Sequence, residues 1–240
     1  MIKFVRSRIK RIFASITLLS VEIIALLGVF SVALVAFIGI ANMIFTEKKE
    51  TFDDRAFNFL SKHVNTINTD MMQIFTFLGT HTFLIPANLI LISYLLFIKK
   101  HRWYSISVPV IALSSLLLMV ILKIIFQRDR PLSPLLSAAQ GYSFPSGHAT
   151  MAITFYGLII FLVFRNVKNK VLRWALIILL SLLIIAIGVS RVYLRVHYAS
   201  DVLAGFCLGL MWLLFSLWLL KKIEIYSLKK VDPAVQLAPR

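Results

Sequence analysis

The chain has 240 residues, 60% of them apolar and only 15% charged, yet 26 Lys and Arg against 10 Asp and Glu give it a formal net charge of +16. A soluble domain is roughly 45–50% apolar on a similar count, so one soluble core is excluded; the hydrophobicity excludes disorder, and a single cysteine, Cys207, excludes a disulfide scaffold. A helical membrane protein remains, with a charge excess that needs its own explanation.

At the N-terminus Ile2, Val5, Ile9, Ile12, Ile16 and Leu19 recur at helical spacing between Lys3, Arg6, Arg8, Lys10 and Arg11, the pattern of an interfacial helix. The apolar stretch from Ile12 to Phe45 is too long for a signal-peptide core, so it is read as an uncleaved first span, with Glu22 near the inner interface. A span needs roughly 20 mostly apolar residues. Six runs approach that length: Ile23 to Phe45, Phe83 to Ile98 (able to borrow from Met71 onward), Trp103 to Leu122, Ala149 to Phe164, Trp174 to Val189, and Val202 to Leu220. None alternates as a barrel strand of about 10 residues does. Between the first two runs, Phe57, Leu60, Val64, Ile67, Met71, Ile74 and Leu78 repeat at steps of three and four. This predicts one amphipathic helix over about 54–78 at the outer interface, capped by Asp53 or Asp54.

The expected fold is therefore an all-α integral membrane protein, a six-transmembrane-helix bundle with amphipathic interfacial helices. Its parts are an N-terminal amphipathic segment (1–22), a six-span domain (23–222) and a tail (223–240). Basic residues select the orientation. The N-terminal arm, Lys99, Lys100 and Arg102, then Arg165, Lys168, Lys170 and Arg173, then Lys221, Lys222, Lys229, Lys230 and Arg240 all fall on one side, opposed only by Glu224 and Asp232. On the other side Lys48, Lys49, Arg55, Lys62, Lys123, Arg128, Arg130, Arg191 and Arg195 are nearly balanced by Glu47, Glu50, Asp53, Asp54, Asp70, Asp129 and Asp201. The positive-inside rule then puts both termini in the cytoplasm. The excess charge is thus an orientation signal, with no nucleic-acid partner implied.

Three polar clusters fall at the outer level: Lys123 through Arg130-Pro131, Pro145-Ser146-Gly147-His148, and Ser190-Arg191 through His197 to Asp201. Polar groups at membrane depth are functional candidates by default. Lys123, Arg130 and Arg191 suit phosphate oxygens, Arg through its planar fork. Ser146-Gly147 opens a helix, where free amides bind anions. His197 and Asp201 are four apart, so a carboxylate can fix the imidazole tautomer and leave the other nitrogen to attack. His148 is placed to act as acid and then base. No His/Cys set or carboxylate cluster suggests a metal or other cofactor.

Each residue alone has an ordinary explanation: Lys and Arg anchor span ends, and an i,i+4 His/Asp pair is commonly a helix contact. Together they resemble the type-2 phosphatidic acid phosphatase (PAP2) superfamily of membrane lipid phosphatases. Its motifs, Lys-x6-Arg-Pro, Pro-Ser-Gly-His and Ser-Arg-x5-His-x3-Asp, are all present in order from Lys123 to Asp201. The resemblance implies His197 as phosphoryl carrier, His148 as acid/base and Asp201 as support for His197. It implies Lys123, Arg130, Ser146, Gly147 and Arg191 as phosphate ligands, and no metal.

The implied reaction is hydrolysis of a lipid phosphomonoester or pyrophosphate on the outer face of a bacterial inner membrane, through a phosphohistidine. A lipid phosphotransferase with an acceptor other than water is the alternative. Polyprenyl pyrophosphate, phosphatidylglycerol phosphate, phosphatidic acid and a phosphorylated glycolipid are equally compatible substrates. Outside the motifs, Arg128, Asp129 and Arg195 are read as solvated or paired with one another, and Ser190 as scaffolding. Tyr142, Phe144 and Tyr198 suit either the lining of an acyl channel or an interfacial aromatic belt, with the belt slightly preferred, His63, His81 and His101 are given no role, and Gly205 and Gly209 form a close-packing pair.

Overall fold

The structure is a computed structural model that describes residues 2–48, 51–132, 134–135 and 140–227, with side chains from residue 24. The elements are α1 (Ile2–Phe45), α2 (Thr51–Ser61), α3 (Thr66–Phe77), α4 (His81–Ser93, continued by a π-helical turn over Tyr94–Ile98), α5 (Arg102–Phe126), α6 (Gly147–Asn166), α7 (Lys170–Tyr193) and α8 (Ala199–Tyr226). Among the described residues six helical segments are long and apolar enough to cross a membrane: Ile24–Phe45, His81–Ile98, and α5 to α8. Their outer faces carry exposed Val32, Val35, Leu113, Leu117, Leu179 and Leu182, as expected where the surrounding medium is itself apolar.

Between helices in lipid the hydrophobic effect gives little drive, so association relies on close contact through small residues. That is how the centre of this bundle is built. α6 packs against both α7 and α8, and its buried face carries Ala149, Thr150, Ala152 and Thr154. A Cβ added at Gly205 would lie 2.7 Å from the Ser146 carbonyl oxygen and 2.9 Å from Ala149 Cβ; one added at Gly209 would lie 2.8 Å from the Thr150 carbonyl oxygen. The small pair read from the sequence therefore serves packing inside the bundle. Gly205→Ala is expected to push the start of α6 off α8 and cost about 1–3 kcal/mol, read as a lower unfolding temperature in detergent.

The amphipathic segment read as one helix over 54–78 is two. Residues 62–64 turn, with the His63 amide bonded to the Leu60 carbonyl and the Val64 amide to the Ser61 carbonyl. Asn65 then caps α3, its side chain accepting from the Asn68 amide at 2.8 Å. The apolar spacing runs across this break, so periodicity alone conceals it. Nor does the second span borrow from Met71. α3 ends at Phe77, and Thr80 caps α4 by accepting from the Phe83 amide. At the N-terminus the backbone of α1 runs unbroken from Ile2 to Phe45, while the Glu22 side chain lies outside the described residues. At the other end α8 reaches Tyr226, beyond the expected boundary at 222, and residues 228–240 lie outside the described residues.

α2 and α3 pack on the C-terminal half of α7 and, for α2, on the start of α8. This places them at the same end of the bundle as the last turn of α5 and the first turns of α6 and α8.

Candidate active site

α5 is closed by Gln127, whose backbone is left-handed (φ 45°) and whose amide donates a hydrogen bond to the Lys123 carbonyl. The chain then leaves the helix axis and delivers Arg128 and Arg130 sideways. Before α6, Phe144 is fully buried among Phe37, Phe45 and Phe126, with ring centroids 5.7, 5.4 and 4.9 Å away. It is a core residue that locks this loop to α1 and α5, not part of an interfacial belt. Tyr142, by contrast, is 37% exposed.

The three sequence clusters meet here. Lys123 Nζ donates to the carbonyls of Tyr142 and Ser143. Arg130 donates from Nε to the Gly141 carbonyl at 2.8 Å and from Nη1 to the Val196 carbonyl at 2.7 Å, and that Nη1 also lies 3.4 Å from His197 Nε2. The Ser146 amide bonds to the Asp201 carbonyl at 3.0 Å, pinning the start of α6 to the first turn of α8. Gly147 follows as the first residue of α6. His148 lies beside Gly79, where an added Cβ would come within 3.0 Å of its Cδ2. Arg191 is buried and donates to Thr76 Oγ1 at 2.5 Å, while its carbonyl accepts the amides of Val196 and His197.

Asp201 is the hub. It is fully buried. Its Oδ1 accepts from Arg128 Nη1 at 2.6 Å; its Oδ2 accepts from Ser143 Oγ and, at 3.0 Å, from the Tyr198 amide. His197 Nδ1 lies 3.4 Å from the same Oδ2, within ion-pair range but off hydrogen-bond alignment. This geometry favours the tautomer with its proton on Nδ1, which leaves the Nε2 lone pair beside Arg130. Complete burial pulls the His197 pKa down to about 4; Asp201 opposes this, while Arg191 and Arg130 add to it. Burial likewise lowers Arg130, with Asp201 offsetting part of the effect. For Arg128 burial works in the same direction, but Asp201 and Asp53 outweigh it and raise its pKa above the ordinary value.

Four side chains of this site were not recognised from the sequence. Arg128 is neither solvated nor paired with Asp129: it joins Asp201 to Asp53. Asp53 stands inside α2; it is buried and accepts from Arg128 and from the amide and hydroxyl of Ser200 in the first turn of α8. Ser143 completes the Asp201 shell, and Tyr198 stacks under the Arg128 guanidinium at 3.9 Å. Among the described residues no three His, Cys, Asp or Glu are grouped to hold a metal ion. A cavity of about 300 Å³ lies at the opposite end of the bundle, lined by Trp103, Tyr104, Arg165, Trp218 and Lys221, and contains no motif residue.

Residues 104–224 match the profile of the PAP2 superfamily. The chain belongs to that superfamily. It is 34% identical over 146 residues to "Phosphatidylglycerophosphatase B" of Bacillus subtilis (strain 168), a match covering 59% of this chain and 70% of the relative. The fold of this PAP2 chain superposes on the crystal structure of a transmembrane PAP2-type phosphatidylglycerolphosphate phosphatase from Bacillus subtilis with a TM-score of 0.74. That match has 26% identity and covers 81% of this chain and 96% of the other. Aquifex aeolicus LpxE shares the fold at a TM-score of 0.54 and 22% identity, over 68% and 92% of the two chains.

Proposed function

We propose that this PAP2 lipid phosphatase works without a metal ion, through a phosphohistidine on His197, at the outer face of the membrane. One observation carries the reading. Of the five buried side-chain polar atoms without a hydrogen-bond partner among the described residues, three are Ser146 Oγ, His148 Nε2 and Arg191 Nε, all on motif residues, and a fourth, His197 Nδ1, is turned to Asp201. Buried polar atoms are nearly always partnered, and here the exceptions gather in the motif residues, as a site for a multiply hydrogen-bonding anion requires.

In the first step His197 Nε2 attacks phosphorus as the bond from phosphorus to the lipid oxygen breaks. Protonated His148 gives its proton to that oxygen. Lys123, Arg130, Arg191, Ser146 and the Gly147 amide bind the phosphoryl oxygens. These cations and amides carry the charge stabilisation on which phosphoryl transfer mainly depends. In the second step His148 takes a proton from water, the hydroxide attacks phosphorus, the P–N bond breaks and phosphate leaves. The outer-face assignment rests on the clustering of basic residues at the other ends of the spans.

The name of the Bacillus relative makes phosphatidylglycerol phosphate the first substrate to test. A polyprenyl pyrophosphate, phosphatidic acid and a phosphorylated glycolipid complete the panel. The purified chain in detergent with EDTA is expected to release inorganic phosphate from at least one of them. Activity abolished by EDTA and restored by a divalent ion would overturn the metal-free reading. Phosphate appearing on a second alcohol in place of free phosphate would make the enzyme a transferase.

A further inference from the structure

Arg128 stands at a variable position of the first motif and Asp53 outside all three, yet both charges are paired and buried next to the site. Asp53 is 1% exposed. Its Oδ1 accepts the Ser200 amide at 2.8 Å; its Oδ2 accepts Arg128 Nη2 at 2.9 Å and Ser200 Oγ at 2.6 Å. Both oxygens are occupied, so it has none to offer a substrate. Arg128 Nη1 closes the ring by donating to Ser200 Oγ at 2.8 Å and also holds Asp201 Oδ1 at 2.6 Å, while its guanidinium face rests on Tyr198. The oxygen it grips is the one turned away from His197.

We propose that Arg128 and Asp53 are positioning residues for the His197–Asp201 pair, with Asp53 anchoring α2 to that pair. This rests on the reading of His197 as nucleophile. A carboxylate free to rotate would carry its Oδ2 away from an imidazole that is already at 3.4 Å. Arg128 on one oxygen, with Ser143 and the Tyr198 amide on the other, removes that freedom. The cation also compensates the Asp201 charge, which would otherwise hold a proton on the imidazole and block its lone pair. Seventy-odd residues of sequence separate the two partners, which sit on elements whose mutual position decides whether the site is assembled.

The test uses the full chain in detergent with phosphatidylglycerol phosphate. Asp53→Asn keeps the shape and removes the anchoring charge. Because it leaves Arg128 short of a partner and can unfold the chain, the double variant Asp53→Asn/Arg128→Gln removes both charges together. The folded double variant is expected to lose about 10- to 100-fold in kcat, with KM within about twofold of wild type. The acid limb of its kcat/KM profile should also move up by about one pH unit. The groups facing His197 are Asp201 on α8, Arg130 from the loop, Arg191 on α7 and His148 on α6, and Lys123 on α5 faces Asp201. The variant changes none of them, so the shift reports on the clamp. A folded double variant with wild-type kcat and acid limb overturns the proposal and leaves a structural staple. Trapping of the wild-type phosphoenzyme tests the nucleophile separately: its absence during turnover overturns that underlying reading, whatever the variant does.

Discussion

His197→Ala is expected to abolish lipid phosphate hydrolysis, by at least about 10⁴-fold in kcat, while the protein remains folded in detergent. The imidazole is enclosed, but among the described residues the polar contacts of its ring are a long one with Asp201 and a long one with Arg130. Its removal therefore leaves the fold-bearing contacts of the site in place. The Ser146 amide stays on the Asp201 carbonyl, and Arg128 stays between Asp53 and Asp201. Full turnover by a folded His197→Ala chain would sink the phosphohistidine mechanism. The same residue sets a pH prediction. With its pKa lowered to about 4, His197 keeps its lone pair free above that value and loses it below. Wild-type kcat/KM should therefore fall on the acid side only as pH drops towards 4, well below the ordinary histidine range.

Much of this was legible because the candidate site residues carry their message locally. The spacing from Lys123 to Arg130, and from Arg191 to His197 to Asp201, is readable along the chain, and the structure brings those residues to one end of the bundle. The six spans are readable for the same reason: length and apolarity are local properties. The sequence left hidden what depends on partners distant in the chain. Asp53 two residues into a helix has the look of a cap, and only the fold reveals that its partners are Arg128 and Ser200. Arg128 next to Asp129 has the look of a solvated pair. Phe144 could equally have faced the interface; three phenylalanines from α1 and α5 decide otherwise. The break at Asn65 was hidden for a different reason, since an apolar spacing of three and four continues across a turn that happens to preserve phase. Asn65-Thr66, a capping residue followed by a helix start, was the available clue.

Asp201→Asn is expected to lower kcat by about 10³- to 10⁴-fold without moving the backbone. The carboxylate accepts on both oxygens: Arg128 on Oδ1, and Ser143, the Tyr198 amide and the His197 side on Oδ2. An amide has one acceptor and one donor end, so neither orientation satisfies this site. With its oxygen towards Arg128, the charge-assisted and stronger contact, its NH2 faces the Tyr198 amide and His197 Nδ1. The imidazole must then accept on Nδ1 and carry its proton on Nε2, which buries the nucleophilic lone pair against the amide. The loss should fall on formation of the phosphoenzyme, read in a single-turnover experiment with a radiolabelled headgroup, and not on substrate affinity. A folded Asp201→Asn chain that phosphorylates His197 at the wild-type rate would show that the tautomer is set elsewhere.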